Sequence, residues 1–268
     1  MRLSIHHVTT YRFAEPMRYV VQSQRLTPMP SGGQRILSWE VACPNAVFGA
    51  RRTDPAGDEV RTMTLNGPVD VVEITASGQV VTTDTNGILT GMRERVPPLA
   101  YRRDTPLTAP DAAIRALAAE QDEPAPLARA HALSAAVAEA LTYEPETTGA
   151  ATTAAEALAG GRGVCQDYAH VLIAAARQAE LPARYVTGYL LASEEAVTGD
   201  AGHAWAELHI EGLGWVGFDA ANRCCPDERY VRLTSGLDAV SAAPVRGTSF
   251  GQAREDLDVT VAVEAAQQ

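Results

Sequence analysis

The stretch GGRGVCQDYAH, residues 160–170, places one cysteine between a glycine-rich turn and a run that becomes apolar. A helix that starts at Cys165 leaves its first backbone N–H groups unpaired, and these groups favour the thiolate form of the side chain. The preceding glycines allow a sharp turn and leave amides uncovered beside the sulfur, as an oxyanion hole requires. A lone cysteine is more often a small buried apolar residue, so a packed thiol and a nucleophile both stay open.

A thiolate nucleophile needs a proton acceptor that later protonates the leaving group, and histidine suits this role near neutral pH. His203 is the best candidate, because it opens a predicted strand directly after the polar loop SEEAVTGDAG. His209 lies farther along the same strand and is expected at the surface or in packing. His170 lies on the cysteine helix about 140° round from Cys165, which leaves it at most an indirect role.

Asp219 is the candidate for the group that orients the base. The segments HAWAELHI and GWVGFDA, joined by EGLG, are typical of an antiparallel hairpin that brings His203 and Asp219 side by side. Paired residues of an antiparallel hairpin have residue numbers with a constant sum. The side chains of His203 and Asp219 share a face only if their own sum, 422, differs from that constant by an even number. A two-residue turn fails this condition, so we predict an odd-length loop centred on residue 211 or 212, or a bulge. Alone, Asp219 would be interpreted as a turn or surface carboxylate.

The amino-terminal region, residues 1–95, has β character. Segments such as RYVVQSQRL, RILSWEVAC, EVRTMTL and VDVVEITAS alternate with the turn sequences PMPSGG, DPAGD, NGP and ASG. Short strands with turns at this spacing predict an antiparallel domain of the sandwich type. The adjacent His6 and His7 face opposite sides of a strand and are expected to be structural.

Residues 96–268 have mixed character. The segment RVPPLAYRRDTPLT predicts a linker, and three alanine-rich helices follow, the first capped by Thr108. The cysteine helix comes next, and then three strand-like pieces, ARYVTGYLLA, HAWAELHIE and GWVGFDAA. The tail alternates strictly, so a last strand over about 256–265 is expected to join one of the sheets. One face of this strand carries Leu257, Val259, Val261 and Val263.

Composition narrows the class of protein. The net charge of -11 over 268 residues argues against a protein that coats nucleic acid or an anionic membrane. No signal-peptide pattern and no run of about 18 apolar residues is present, so we expect a cytoplasmic protein without a membrane segment. The four cysteines show neither metal spacing nor a disulfide framework, which favours reduced thiols. They are Cys43, Cys165, Cys224 and Cys225.

GRGVCQDYAH, HAWAEL and GWVGFDAAN resemble the core motifs of the bacterial transglutaminase-like superfamily, in the right order and spacing. IHHVTTYRFAEPM and QSQRLTP resemble the β-rich region that often precedes that core. The resemblance implies an α+β, papain-like core in which helices, including the cysteine helix, pack on an antiparallel sheet. It also implies a catalytic triad of Cys165, His203 and Asp219.

The reaction implied is attack of the thiolate on an amide carbonyl, release of ammonia or an amine, and a thioester acyl-enzyme. Transfer of the acyl group to water is hydrolysis, and transfer to an amine is transamidation. We expect a cysteine protease or amidase whose partner is a peptide, protein or amide conjugate. Glutamine transamidation and a catalytically silent peptide-binding domain are the alternatives. No calcium loop is recognisable, and no cofactor or metal is expected.

Three further residues are candidates for the site of such an enzyme. Gln166 follows the nucleophile and is a candidate for the oxyanion hole, although the Cys165 backbone N–H is the stronger one. Trp205 shares a strand face with His203 and either walls the cleft or packs in the core. Tyr143 is a candidate for the substrate groove.

The sequence departs from the family at DAANRCC, where the family often has Pro and Thr between Asp and Asn. The local turn is therefore expected to differ. Cys224 and Cys225 are adjacent, so a mutual disulfide would be strained and we expect free thiols.

Overall fold

Two large antiparallel sheets, a short parallel pair of strands and a layer of helices make up the described part of this computed structural model, residues 1–191, 202–249 and 255–266. The helices are α1 (Ala112–Glu120), α2 (Pro126–Ala140), α3 (Ala154–Gly160) and α4 (Cys165–Gln178). The strands are β1 (Arg2–Gln24), β2 (Gln34–Ala42), β3 (Val47–Phe48), β4 (Arg52–Thr53), β5 (Glu59–Thr82), β6 (Ile88–Leu89), β7 (Thr142–Tyr143), β8 (Arg162–Gly163), β9 (Ala183–Leu190), β10 (Gly202–Ile210), β11 (Gly214–Phe218), β12 (Tyr230–Gly236), β13 (Val245–Ser249) and β14 (Glu255–Ala265). None of the helices described is long and apolar enough to cross a membrane.

The amino-terminal sheet is built on two long strands, in the order β13-β1-β5-β2 with β14 also on β1 and with β3 and β4 on β5. The predicted turns NGP and ASG are wrong, because both sequences lie within β5. Strand β1 pairs with β5 along almost the whole length of both strands. This pairing satisfies the backbone hydrogen-bonding groups of β5. The register shifts on both sides of Met17, opposite NGP, and absorbs the irregular sequence there.

The predicted amino-terminal sandwich differs from the observed arrangement in one respect. Strands β1 to β5 of this region belong to a single sheet, and the layer that covers its apolar face comes from the second sheet of the molecule. The shared core places Ile5 and Ile74 in one cluster with Tyr189, Val231 and Leu233 of the second sheet. Burial of this apolar surface holds the two sheets together.

The second sheet has the order β12-β9-β10-β11-β6, and α4 packs against it. Leu172 and Ile173 of α4 are fully buried in one cluster with Ala206 and Leu208 of β10. This is the predicted arrangement of a cysteine helix on an antiparallel sheet. Strand β12, which the sequence analysis did not predict, extends the sheet beside β9.

The chain does not divide cleanly at residue 95. The predicted last strand is present as β14, and it pairs with β1 of the amino-terminal sheet, as β13 also does. In the opposite direction, β6 pairs with β11 of the second sheet. Each of the two large sheets therefore contains strands from both of the predicted regions.

Helix caps agree with the sequence, with one correction. Helix α3 follows Thr153, whose hydroxyl accepts the N–H of Glu156, and it ends at Gly161 in the left-handed region with φ of 63°. Helix α1 is capped by Asp111 and not by Thr108. Thr108 is buried, and its hydroxyl accepts a hydrogen bond from Nη1 of Arg177 at 2.7 Å. The hydroxyl therefore binds a side chain and does not cap α1. The predicted linker contains two short 3₁₀ helices, Pro98–Arg102 and Pro106–Thr108.

A buried network of charged side chains links strands β9, β10 and β12 of the second sheet to one another and to the segments around residues 58 and 94. Glu207 of β10 accepts from Nε of Arg184 at 2.6 Å and from Nε of Arg232 at 2.9 Å. Arg184 also contacts Glu94 at 2.8 Å, and Arg232 contacts Asp58 at 3.1 Å. Burial alone would raise the pKa of Glu207, but the charges of the two arginines lower it.

Replacing Glu207 with Gln is expected to lower the free energy of unfolding by about 3–5 kcal/mol, because two arginines lose a buried counter-charge. Chemical denaturation followed by circular dichroism measures this. The depressed pKa makes the contribution of Glu207 present above the ordinary carboxyl pKa and lost as pH falls through the folded-state value. Glu211→Gln, in the exposed hairpin loop, is the control and should change stability by less than about 0.5 kcal/mol. Equal effects of the two substitutions would contradict the role of the network.

Candidate active site

Cys165 is the first residue of α4, as predicted, and it is half-buried in the wall of a cavity of about 460 Å³. The glycine-rich turn before it is required by packing. A Cβ atom on Gly163 would lie 2.7 Å from Cβ of Asp167, so only glycine lets the chain pass the first turn of the helix this closely. The turn therefore sets the sulfur at the helix start.

Asp167, which the sequence analysis missed, holds this helix start in place. Its Oδ2 atom accepts hydrogen bonds from the N–H of Val164 at 2.8 Å and from the hydroxyl of Thr148 at 2.6 Å. An acidic residue in the first turn of a predicted helix is a recognised start signal and could have identified it. The N–H groups of Cys165 and Gln166 precede the intrahelical bonding pattern and are placed to receive a developing negative charge.

His203 and Asp219 lie side by side, with Nε2 of the imidazole 2.6 Å from Oδ2 of the carboxylate, and both side chains are buried. Strands β10 and β11 pair from Ala206 with Phe218 to Ile210 with Gly214. The hairpin loop is thus three residues long and centred on residue 212, which confirms the predicted odd length. The polar loop predicted before His203 lies, apart from its final glycine, outside the described residues.

The contact with Asp219 leaves Nδ1 of His203 for the cysteine. Nδ1 is buried and has no hydrogen-bond partner of its own among the described residues, and the thiol of Cys165 lies near enough to act on the charge of the ring. Burial by itself would lower the pKa of His203, but Asp219 and Cys165 outweigh this effect and raise it to about 10. The imidazole is therefore protonated at neutral pH and places a positive charge beside the sulfur of Cys165.

Residues 115–220 match the family described as the Transglutaminase-like superfamily, and residues 3–81 match the Bacterial transglutaminase-like N-terminal region. The uncharacterised protein ML0607 of Mycobacterium leprae is 30% identical over 280 residues, which cover 98% of each chain. The chain belongs to the transglutaminase-like superfamily.

Other relatives of this transglutaminase-like chain agree. The uncharacterised protein Mb2599c of Mycobacterium bovis is 33% identical over 132 residues, 46% of this chain and 42% of that protein. The crystal structure of a candidate cysteine protease from Cytophaga hutchinsonii superposes with a TM-score of 0.74 at 21% identity, over 100% of this chain and 92% of that one. The likeness to this structure confirms the predicted fold class.

Two residues beyond the predicted trio hold the carboxylate of this transglutaminase-like site. Oδ2 of Asp219 also accepts from the hydroxyl of Tyr230 and from the side-chain amide of Asn222, each at 2.8 Å. Burial would raise the pKa of Asp219, but His203, Asn222 and Tyr230 lower it. The sequence DAANRCC thus keeps the asparagine contact, and its turn is closed by paired backbone bonds between Asp219 and Cys224. Tyr230 lies on the strand that was not predicted, so no local signal identified it.

Of the three additional candidates for the site, only Gln166 lines the cavity beside Cys165. Its side-chain amide contacts the carbonyl of Gly149 at 3.5 Å. Trp205 does not line that cavity, because it is buried in a small cluster where Tyr230 covers its ring at a centroid distance of 5.5 Å. Its role is the alternative one, core packing beside the imidazole.

Tyr143, the candidate for the substrate groove, does not line this cavity either. The pairing of β7 with β8 places its ring 6.3 Å from that of Tyr168 on α4. His170 is fully buried, and its Nε2 accepts the N–H of Ala239 at 3.1 Å. Burial lowers the pKa of His170 to about 4, so this histidine is neutral and structural.

All four thiols are free, as expected. Burial raises the pKa of Cys43, Cys224 and Cys225. Within the described ranges, no group of three or more His, Cys, Asp or Glu side chains could hold a metal ion.

Alkylation should separate these thiols. Iodoacetamide is expected to modify Cys165 at about pH 6, because this residue lies at a helix start and lines a cavity together with His203. Burial raises the pKa of the other three thiols, so these should react only at higher pH. Peptide mass mapping after short exposure over a pH series measures this. In a His203→Ala variant the low-pH reaction of Cys165 should disappear. Reaction of all four thiols only above about pH 8 would count against an activated cysteine.

Replacing Asp219 with Asn should lower the pH at which His203 titrates, because the charge that raises its pKa is lost. Nuclear magnetic resonance of histidine-labelled protein measures the titration, with Asp256→Asn on the exposed side of β14 as the control. Since the folded-state pKa of His203 is raised, the stability gained from protonated His203 is fully present below its ordinary pKa of 6.5 while Asp219 is ionised. This gain is lost as pH rises through about 10. The stability difference between wild type and Asp219→Asn should shrink over that range, and a constant difference would argue against the pair.

Proposed function

We propose that this protein is a thiol-dependent amide hydrolase of the cysteine protease or amidase type, acting on a peptide or amide conjugate. One observation carries the proposal. A cysteine at a helix start shares a cavity with a buried imidazole whose Nε2 atom lies 2.6 Å from a buried carboxylate. This arrangement on a helix and one hairpin supports the roles of nucleophile, base and orienting group for the three residues.

The first half-reaction follows from the charges of the site. The Cys165 thiolate attacks the amide carbonyl, and the oxygen takes up the electron pair beside the N–H groups at the start of α4. The carbon–nitrogen bond then breaks, and the His203 imidazolium gives its Nδ1 proton to the departing amine. The products are a free amine, a neutral imidazole and an acyl thioester on Cys165.

The second half-reaction restores the enzyme. The neutral imidazole takes a proton from water as the oxygen attacks the thioester, and the carbon–sulfur bond breaks to release a carboxylic acid. Cys165 leaves as the thiolate beside the imidazolium. Asp219 keeps Nε2 protonated throughout, so that Nδ1 is the nitrogen that exchanges protons with the substrate.

The acceptor of the acyl group is water in this proposal, and an amine acceptor is the competing outcome. The chain contains no lysine, since all 22 of its basic residues are arginines. It therefore offers no lysine side chain for crosslinking to itself, and transfer must be assayed with an added amine.

The test is a peptide-amide library incubated with and without a small primary amine. We expect carboxylic acid products, identified by mass, in both cases. Cys165→Ala should reduce turnover at least about a thousandfold and leave the circular dichroism spectrum unchanged. Cys225→Ala is the matched control and should keep the wild-type rate. Substituted amides in place of acids would indicate transamidation, and turnover that survives in Cys165→Ala, or is absent from the wild type, would overturn the proposal.

A further inference from the structure

The cavity beside Cys165 is bounded by the first and the last strands of the chain. One wall is the start of α4 with β10, and the opposite wall comes from β1 and β14. Along that wall the paired residues are Tyr11 with Leu257, Thr9 with Val259, and His7 with Val261. The volume of about 460 Å³ falls within the range of small-ligand sites.

The β14 side of this wall is apolar and uncovered. Leu257 and Val259 keep 53% and 52% of their surface exposed, although both are large hydrophobic residues. Their strict alternation with Asp256, Asp258 and Thr260 aims the apolar side chains at the cavity and the polar ones away from it. Exposed apolar surface beside a candidate nucleophile is typical of a ligand site.

The wall is also uncharged. No Asp, Glu or Arg is among the described residues that line the cavity. His7 is neutral, because burial, with a smaller effect of His6, lowers its pKa to about 4, and its ring nitrogens bond the hydroxyls of Tyr189 and Thr9. The hydroxyl of Tyr11 stays protonated, since burial raises its pKa to about 12. A charged ligand group would lose hydration here without gaining a counter-charge from the wall.

We propose, resting on the proposed function, that this wall binds a large uncharged apolar side chain on the substrate residue that supplies the scissile carbonyl. That residue stays bonded to Cys165 between the two half-reactions, so its side chain remains against the wall for both. Strand β14 is the element that determines this specificity, through Val259 and its neighbours Leu257 and Val261.

The test compares peptide amides that differ only at the carbonyl residue, with Leu, Phe, Asp or Arg in that position. We expect kcat/KM to be at least about tenfold higher for Leu and Phe than for Asp and Arg. Val259→Asp should lower kcat/KM for the Leu substrate at least about tenfold. Thr260→Asp, on the opposite face of the same strand, is the matched control and should leave the preference unchanged. Thermal melts of both variants exclude unfolding as the cause.

A binding measurement separates this inference from the proposed function. We use two inactive proteins, the single variant Cys165→Ala and the double variant that carries Cys165→Ala together with Val259→Asp. Each protein is titrated against fluorescent forms of the same peptides, and fluorescence anisotropy gives the binding affinities. Tighter binding of the Leu peptide, weakened by Val259→Asp, supports the wall even if the wild type turns over nothing and the proposed function fails. Equal binding and equal turnover of Leu and Asp peptides, or equal effects of Val259→Asp and Thr260→Asp, would overturn the inference while hydrolysis stands.

Discussion

The hydrogen bond between His203 and Asp219 is the constraint on which the candidate site depends. It assigns Nε2 of the imidazole to the carboxylate and so leaves Nδ1 for Cys165. The bond is possible because a three-residue hairpin loop puts both side chains on one face of the sheet. A loop one residue shorter or longer would turn Asp219 to the opposite face and leave the buried imidazole without its counter-charge.

At the candidate site and in the second sheet, buried charged side chains are balanced by partners. At the site, Tyr230 and Asn222 complete the hydrogen bonds of the Asp219 carboxylate, which keeps it ionised against the cost of desolvation. Away from the site, Arg184 and Arg232 share Glu207 within the second sheet. Since these contacts cross from strand to strand, they hold the sheet in the register that the hairpin needs.

The two sheets are parts of one folding unit, because carboxy-terminal strands pair with the amino-terminal strand. Strands β13 and β14 pair with β1 after the whole second sheet has been traversed. The cavity beside Cys165 therefore takes one wall from each sheet. This closure joins the first strand, the last strand and the cysteine helix at a single place.

The sequence by itself determined what depends on neighbours a few residues apart: the start of α4 at Cys165, the Thr153 and Gly161 caps, the odd hairpin loop and the alternation of β14. Only the tertiary structure decided which strand β14 joins, that Tyr230 supports Asp219, and that Trp205 and Tyr143 pack away from the cavity. Hydrogen-bonding periodicity and capping chemistry act locally and leave a signal in the chain. The choice of a distant partner depends on burial and charge balance across the whole fold, for which no short stretch of residues carries a pattern.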